Sequence, residues 1–597
     1  MIKFNNFAYM SAIALIGAVG FTACSSDDDI TDPNPTFDGE SVKTQFAINI
    51  PYANGGTRMS DEIVQEKNNF RGMQDIYLIP TPETPATNES LFETVINLPD
   101  FDDLDNVSSP SLGNYKLYND VNIPVPTKNF LFYSQAGKET SATHLTNGVL
   151  ETTLPNVTKA EDVTFKLKPI LDETTKSTFS TRMSAIATVL TNVAKVNGWS
   201  SESGSDLADL YTDFKTMKAG SANSVKIALE NLYNALSVYG TAHEKYHLVS
   251  QIKNAIAGTG NDNAPFTVAA NAGGNQPDSV LTWKATYDAN FPVSLGIPEG
   301  AAQVEWSDDN SGAFVASDAG GHTYGVKAEA ICYPSALYYF VNTSVKANNS
   351  SDNITWPASS SAWANDTWSG WGDEVTSTTR AVALKDNVQY GVASLETTVK
   401  LASTSLADNG AKLGAGTNYI TMPTGGFDLN SIIVGGQPSV VGYDMAGTTG
   451  TTYNQNVYDS IPGGKVTTTA SAANYTLLLD DSTNVSNGQN NKVYFALELT
   501  NNSGTDFYGN DGLIAAGMKF YLIGELDPEA GTGVTTPYGT TPQSVFRMDY
   551  KTKANVTISS LKNAYVTIPD LRASQLVLGL SVDLTWEQGK VFDVVIE

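Results

Sequence analysis

The chain has 597 residues, with 63 Asp and Glu against 35 Lys and Arg, and a formal net charge of −28. At roughly 100–200 residues per domain there is room for two to four domains, and the acidic balance excludes a nucleic-acid partner because no basic stripe is left to meet phosphate. A hydrophobic content of 41% supports real cores, and the abundance of Gly, Ser, Thr, Asn and Asp beside 27 Tyr favours β-sandwich material. Only Cys24 and Cys332 are present, so no disulfide framework exists.

The N-terminus reads as an address. Lys3 precedes an apolar run from Met10 to Phe21 and the small residues Thr22 and Ala23, a secretory signal over residues 1–23. The run is too short for a spanning helix. Phe21-Thr22-Ala23-Cys24 is similar to a bacterial lipobox, which implies cleavage between Ala23 and Cys24 and lipidation (palmitate included) of Cys24. Cys332 is then left single, as a small buried hydrophobe. The acidic run Ser25–Asp29 and the Pro-containing stretch from Asp32 to Gly39 make a tether. Val42, Phe46, Ile48, Ile50 and Tyr52 then alternate with Lys43, Gln45, Ala47 and Asn49, a half-buried strand. It runs into a loop with Gly55 and Gly56, where Arg58 is the one basic residue between Lys43 and Lys67. An exposed Gly-rich loop is where proteolysis concentrates, so a trypsin-like protease would find the Arg58–Met59 bond easily.

Strands are predicted from Phe70 to Pro80, from Lys128 to Gln135 and around Val163, Phe165 and Leu167. Met183, Ile186, Val189, Leu190 and Val193 then recur at helical spacing, as do Val225, Leu229, Leu232 and Leu236. Residues 172–257 therefore read as a helical insertion in a β domain. Strands return near Val280, Val304 and Tyr324, and Ala336–Val341 reads as a buried strand. Trp356, Trp363, Trp368 and Trp371 fall in one polar stretch. Such a stretch stacks on sugar rings or pins itself to the sheet by its own indoles, and the second reading is preferred. Arg380 to Asn387 reads as an interdomain passage.

His243-Glu244-Lys245-Tyr246-His247 matches the zinc-protease pattern H-E-x-x-H, with Glu244 as general base and Asp262 as a candidate third ligand. The surroundings argue against it: Ser250 and Lys253 stand where the metzincin continuation needs Gly and His. The histidines are read as a solvated helix face, no metal or cofactor is implied, and the chain is read as a non-enzyme. Asp506 to Gly512 reads as a turn rather than a calcium loop.

From residue 386 short strands recur with no helical period, near Tyr419, Ser431, Tyr475, Val493, Met518, Val545 and Val556, which points to a sandwich or barrel. Val388, Tyr390 and Val392 alternate in one phase and Leu395, Val399 and Leu401 in the other, read as a bulge. In the last stretch Leu576, Leu578, Leu580, Val582, Leu584 and Trp586 alternate with Gly579, Ser581, Asp583 and Thr585. A turn at 587–590 leads to Phe592, Val594 and Ile596, which resume the pattern. Such a strand at a free end must be paired and covered.

A lipobox, one early strand, a loop with a single Arg and a C-terminal alternating strand with a late Trp resemble the fimbrillins, the type V fimbria subunits of Bacteroidales; the acidic run after Cys24 likewise resembles the surface-export signal of Bacteroidales lipoproteins. The resemblance implies a mainly β fold of two transthyretin-like sandwich domains, residues 59–385 with the helical insertion and residues 386–597. It implies that an arginine-specific protease removes the lipidated propeptide, residues 24–58, and that the strand near 576–597 is donated to the groove so vacated in a neighbouring subunit. The expected role is a structural subunit of an outer-membrane, cell-surface fimbrium supporting adhesion and biofilm formation. Its partners would be neighbouring subunits in a head-to-tail polymer and an anchoring subunit. An adhesive tip subunit, a non-polymerising glycan-binding lipoprotein and a zinc protease are the alternatives. An uncut precursor would keep its first strand in the groove, and its tail would rest on itself.

Overall fold

Strands form on most of the alternating runs, and also on stretches where none is predicted, Asn114–Pro124, Ala381–Leu384 and Gln455–Val466. The computed structural model describes residues 40–50, 72–82, 94–101, 114–136, 148–170, 173–194, 196, 219–237, 241–242, 246–257, 265–270, 279–284, 303–305, 307–308, 314–315, 331–357, 360–363, 368–410, 416, 418–448, 450–481, 492–528, 544–566, 568–571, 576–587 and 590–592. The protein is mainly β, with several sheets.

The first sheet has nine strands. Its path uses β1 (Ser41–Ile50), β2 (Met73–Thr81), β3 (Ile96–Leu98), β4 (Asn114–Pro124), β5 (Asn129–Ala136), β6 (Tyr338–Asn348) and β7 (Ala381–Leu384), in the order β3-β2-β5-β6-β7-β1-β4. Trp371–Gly372 and Gln389–Tyr390 pair with β6 beside this path. The long strand β6 is the joint: residues 338–344 lie against β5 and residues 345–348 against β7. Two helices stand where helical spacing is predicted, α1 (Glu173–Ala194) and α2 (Ala222–Leu236); a third, α3 (Tyr246–Ala257), lies in the same stretch, within which Ala219–Ser221 is a strand instead. Their buried residues, among them Ile186, Val189 and Val193 of α1 and Leu229, Leu232 and Leu236 of α2, keep the i, i+3, i+4 spacing of one apolar face. Among the described residues no helix is long and apolar enough to cross a membrane.

The second half supplies β8 (Ala393–Leu401), β9 (Phe427–Gln437), β10 (Gln455–Val466), β11 (Asn474–Leu478), β12 (Val493–Thr500), β13 (Lys519–Leu526), β14 (Lys551–Ile558), β15 (Ser581–Glu587) and β16 (Lys590–Phe592). One five-stranded sheet runs from Ile331–Cys332 through β10, β9 and β12 to β13; the other runs β11-β8-β14-β15-β16. One continuous hydrophobic cluster includes buried residues of all three sheets. Cys332 is buried in it as a free thiol, as expected.

Three sequence expectations are corrected here. Residues 380–387 are no passage: Ala381, Val382, Ala383 and Leu384 are buried as β7, hydrogen-bonded on both sides. The run is too short to show a period, and its charged flanks disguise it. The phase slip after Val392 is no bulge. Gln389–Tyr390 pairs with β6 in the first sheet, whereas β8 opens at Ala393 in another, so the chain changes sheets there. Val545–Met548 is not a strand. Its backbone amides at Phe546 and Met548 donate instead to the carboxylates of Asp481 and Asp480, so buried apolar residues need no ladder here.

Candidate functional site

The first strand lies inside its sheet, with neighbours on both sides. β1 runs parallel to β7, with Gln45, Phe46 and Ala47 opposite Ala381, Val382 and Ala383. It runs antiparallel to β4, from Ser41 opposite Pro124 to Ile50 opposite Asn114. The register shifts between Thr44 and Phe46, opposite Asp120, whose φ of 60° marks the bulge in β4. Val42, Phe46 and Ile48 are buried in the main core, and the Phe46 ring meets Phe130 edge-on at 5.7 Å. Each such side chain contributes roughly 1.5–3 kcal/mol by burial. Removing β1 would therefore leave an apolar slot with an unpaired strand on each side.

The opposite face of β1 carries a second, smaller cluster. Ala383, Ala47 and Leu117 are register neighbours across β7, β1 and β4. Two adjacent alanines make a shallow floor, and Trp363 and Trp368 are buried with it, with Trp356 and Trp371 half-buried around them. The indoles pack on one another: Trp356 stacks on Trp363 at 6.0 Å, while Trp363–Trp368 and Trp368–Trp371 meet edge-on at 5.4 and 4.7 Å. The Trp-rich stretch is thus pinned to the sheet by its own side chains. Buried Lys346, which pairs with Ala383 in the ladder, reaches Asp373 at 2.9 Å on the same stretch. Asn49, two residues beyond Ala47, is buried, and neither its side-chain oxygen nor its nitrogen has a hydrogen-bond partner. A buried amide in that state weakens the hold of the sheet on β1.

The last strand lies differently. β15 pairs antiparallel with β14, from Ser581 opposite Thr557 to Glu587 opposite Lys551, and antiparallel with β16 on its other side. The tail is therefore a hairpin at the end of a sheet, resting on its own chain. The predicted strand is shortened: residues 576–580 pair with no strand. They are held by single contacts, the Val577 amide to Tyr565 Oη at 2.9 Å, Asn563 Nδ2 to the Leu578 carbonyl at 2.7 Å and the Gly579 amide to the Ile523 carbonyl at 2.9 Å. Leu580 and Val582 are buried, and Leu576 and Leu578 pack partly on the core.

Ala23, Cys24, Arg58, Met59, His243, Glu244 and Asp262 lie outside the described residues. His247 is exposed in the first turn of α3. Among the described residues no group of three or more His, Cys, Asp and Glu is placed to hold a metal ion. The site residues that sequence reasoning missed are those of β4, β7 and the Ala47–Ala383 floor. An apolar tetrapeptide, Ala-Val-Ala-Leu, between Arg380 and Lys385 was the available signal.

No protein-family model matches the chain, and no curated protein matches it. Among solved structures, similarity is found to a candidate cell adhesion protein of Bacteroides eggerthii, with 8% identity over 93% of this chain and 98% of that one and a TM-score of 0.32. A candidate cell adhesion protein of Parabacteroides distasonis shows 7% identity over 93% and 98% of the two chains, with a TM-score of 0.27. One of Bacteroides uniformis shows 14% identity over 46% and 79%, with a TM-score of 0.18.

Proposed function

We propose that the chain is the lipoprotein precursor of a structural subunit of a cell-surface fimbrium, cut after Arg58 and polymerised by strand exchange, serving adhesion and biofilm formation. The observation that carries this reading is a topological asymmetry. β1 sits between two strands, so its loss opens a slot with hydrogen-bonding edges on both sides; the tail hairpin ends a sheet and leaves without splitting it. A strand that enters such a slot recovers two ladders and a buried apolar face. The contact is head-to-tail, so it propagates as a filament instead of closing a dimer. In this reading the two halves of the chain are transthyretin-like sandwiches, the precursor is anchored in the outer membrane through Cys24, and the partners are neighbouring subunits, an anchoring subunit and an arginine-specific protease.

The cut is tested by Arg58→Ala in the producing cell. The variant is expected to stay full-length after signal removal, lipidated and unassembled, as read by the N-terminal residue and mass of surface protein. A mature product starting at Met59 from that variant would exclude the mechanism.

A further inference from the structure

The slot left by β1 has an inner wall of core residues and an outer wall of tryptophans, and the two make opposite demands. The inner wall holds Phe46 and Ile48. On the outer wall the methyl of Ala47 is buried in one cluster with Trp363 and Trp368. Two residues further along that face, the position of Asn49 is also buried. An entering strand must therefore present large apolar side chains inward, a very small residue beneath the indoles, and no charge at the next outward position. Resting on the strand-exchange reading, we propose that the tryptophan cluster selects the register of the incoming strand: the tail of a second copy of this chain enters in the direction of β1 with Gly579 in the place of Ala47.

The alternation of the tail leaves few registers. A slip of one residue would turn a leucine outward under the indoles, because strand side chains change face at every step. Among slips of two, Val577 brings a branched side chain to the floor. Ser581 fits the floor but carries Asp583 to the buried position of Asn49, an unpaired carboxylate in a dry site. With Gly579 on the floor, Leu578 takes the place of Phe46, Leu580 that of Ile48, and Ser581 that of Asn49. The small serine replaces an amide that has no partner in β1. A competing account exists for this glycine, because a Cβ at Gly579 would stand 2.8 Å from Leu522 Cδ2 in its own chain.

Cysteine pairs separate the two accounts without burdening that glycine. Asn49 is the ladder partner of Tyr115, and Ala47 that of Leu117. Directly opposed residues in an antiparallel pair lie within the Cα range of a disulfide. Full-length chain carrying Ser581→Cys with Tyr115→Cys, expressed and assembled on the cell, is expected to give an intermolecular, reductant-sensitive ladder on denaturing gels. Ser581→Cys with Leu117→Cys is expected to give none. Burial pushes the Cys332 thiol up to about 12, which keeps it out of the exchange. A ladder with Leu117→Cys, or polymer with neither cross-link, overturns the register while strand exchange stands. Failure of the wild-type chain to polymerise overturns strand exchange itself, and the register with it.

Discussion

Asp459 on β10 shows how one residue ties burial to pH. Burial pushes its carboxyl up to about 6, against hydrogen bonds donated by Thr476 Oγ1 at 2.6 Å and Asn474 Nδ2 at 2.9 Å. The unfolded reference is about 3.9. A raised folded value means that the folded chain binds the proton more tightly. This contribution to stability is fully present below about pH 4 and lost as pH rises through about 6. Asp459→Asn keeps an acceptor for both donors and removes the charge. It is expected to stabilise the chain by about 2–3 kcal/mol at pH 7.5 and by little at pH 4. Urea unfolding at the two pH values measures this, and an equal effect at both would contradict the assignment. By contrast, the buried Glu498 carboxylate is fully engaged, accepting from Lys519 Nζ at 2.8 Å and from Tyr458 and Tyr521 hydroxyls at 3.1 Å each. It has the partners that a buried charge needs and is structural.

Among the elements, β1 and β15 answer to different constraints. β1 is tied by two ladders and the Phe46 ring, yet carries the unpartnered Asn49 amide. Phe46→Ala is expected to cost the uncut chain about 3–5 kcal/mol through the cavity left beside Phe130. In the proposed fimbrium β1 has departed, so the same substitution should leave assembled polymer as resistant to denaturant as wild type. Comparing denaturant midpoints of uncut chain and polymer reads both, and a weakened polymer would show that β1 stays. The alternation in each strand was visible from residue types alone, because a half-buried strand writes its period into the sequence. β7 was not, because four small apolar residues covered on both faces have no polar side to alternate with.

For the whole molecule, the decisive matter is which sheet can lose a strand. β15 and β16 stand at the end of the order β11-β8-β14-β15-β16, so removing them exposes β14 as a new edge and leaves the other sheets intact. Deleting residues 574–597 is therefore expected to leave a folded monomer, with its near-UV circular dichroism retained, that forms no polymer. Loss of cooperative unfolding in that variant would make the tail a purely internal strand and remove the basis for exchange. In the chain as described, β1 lies between β7 and β4 and the tail pairs with its own β14.

Sequence alone indicated the two terminal strands, the helical spacing realised in α1 and α2 and the clustering of four tryptophans, since each is a local pattern of residue types. It left open what each strand pairs with, because hydrogen bonds in a sheet join residues far apart in the chain: Ala47 meets Ala383 on one side and Leu117 on the other. Only the tertiary structure decided that β1 lies inside its sheet while the tail ends another. Only it set the tryptophans over Ala47, where a local polar stretch becomes one wall of the slot.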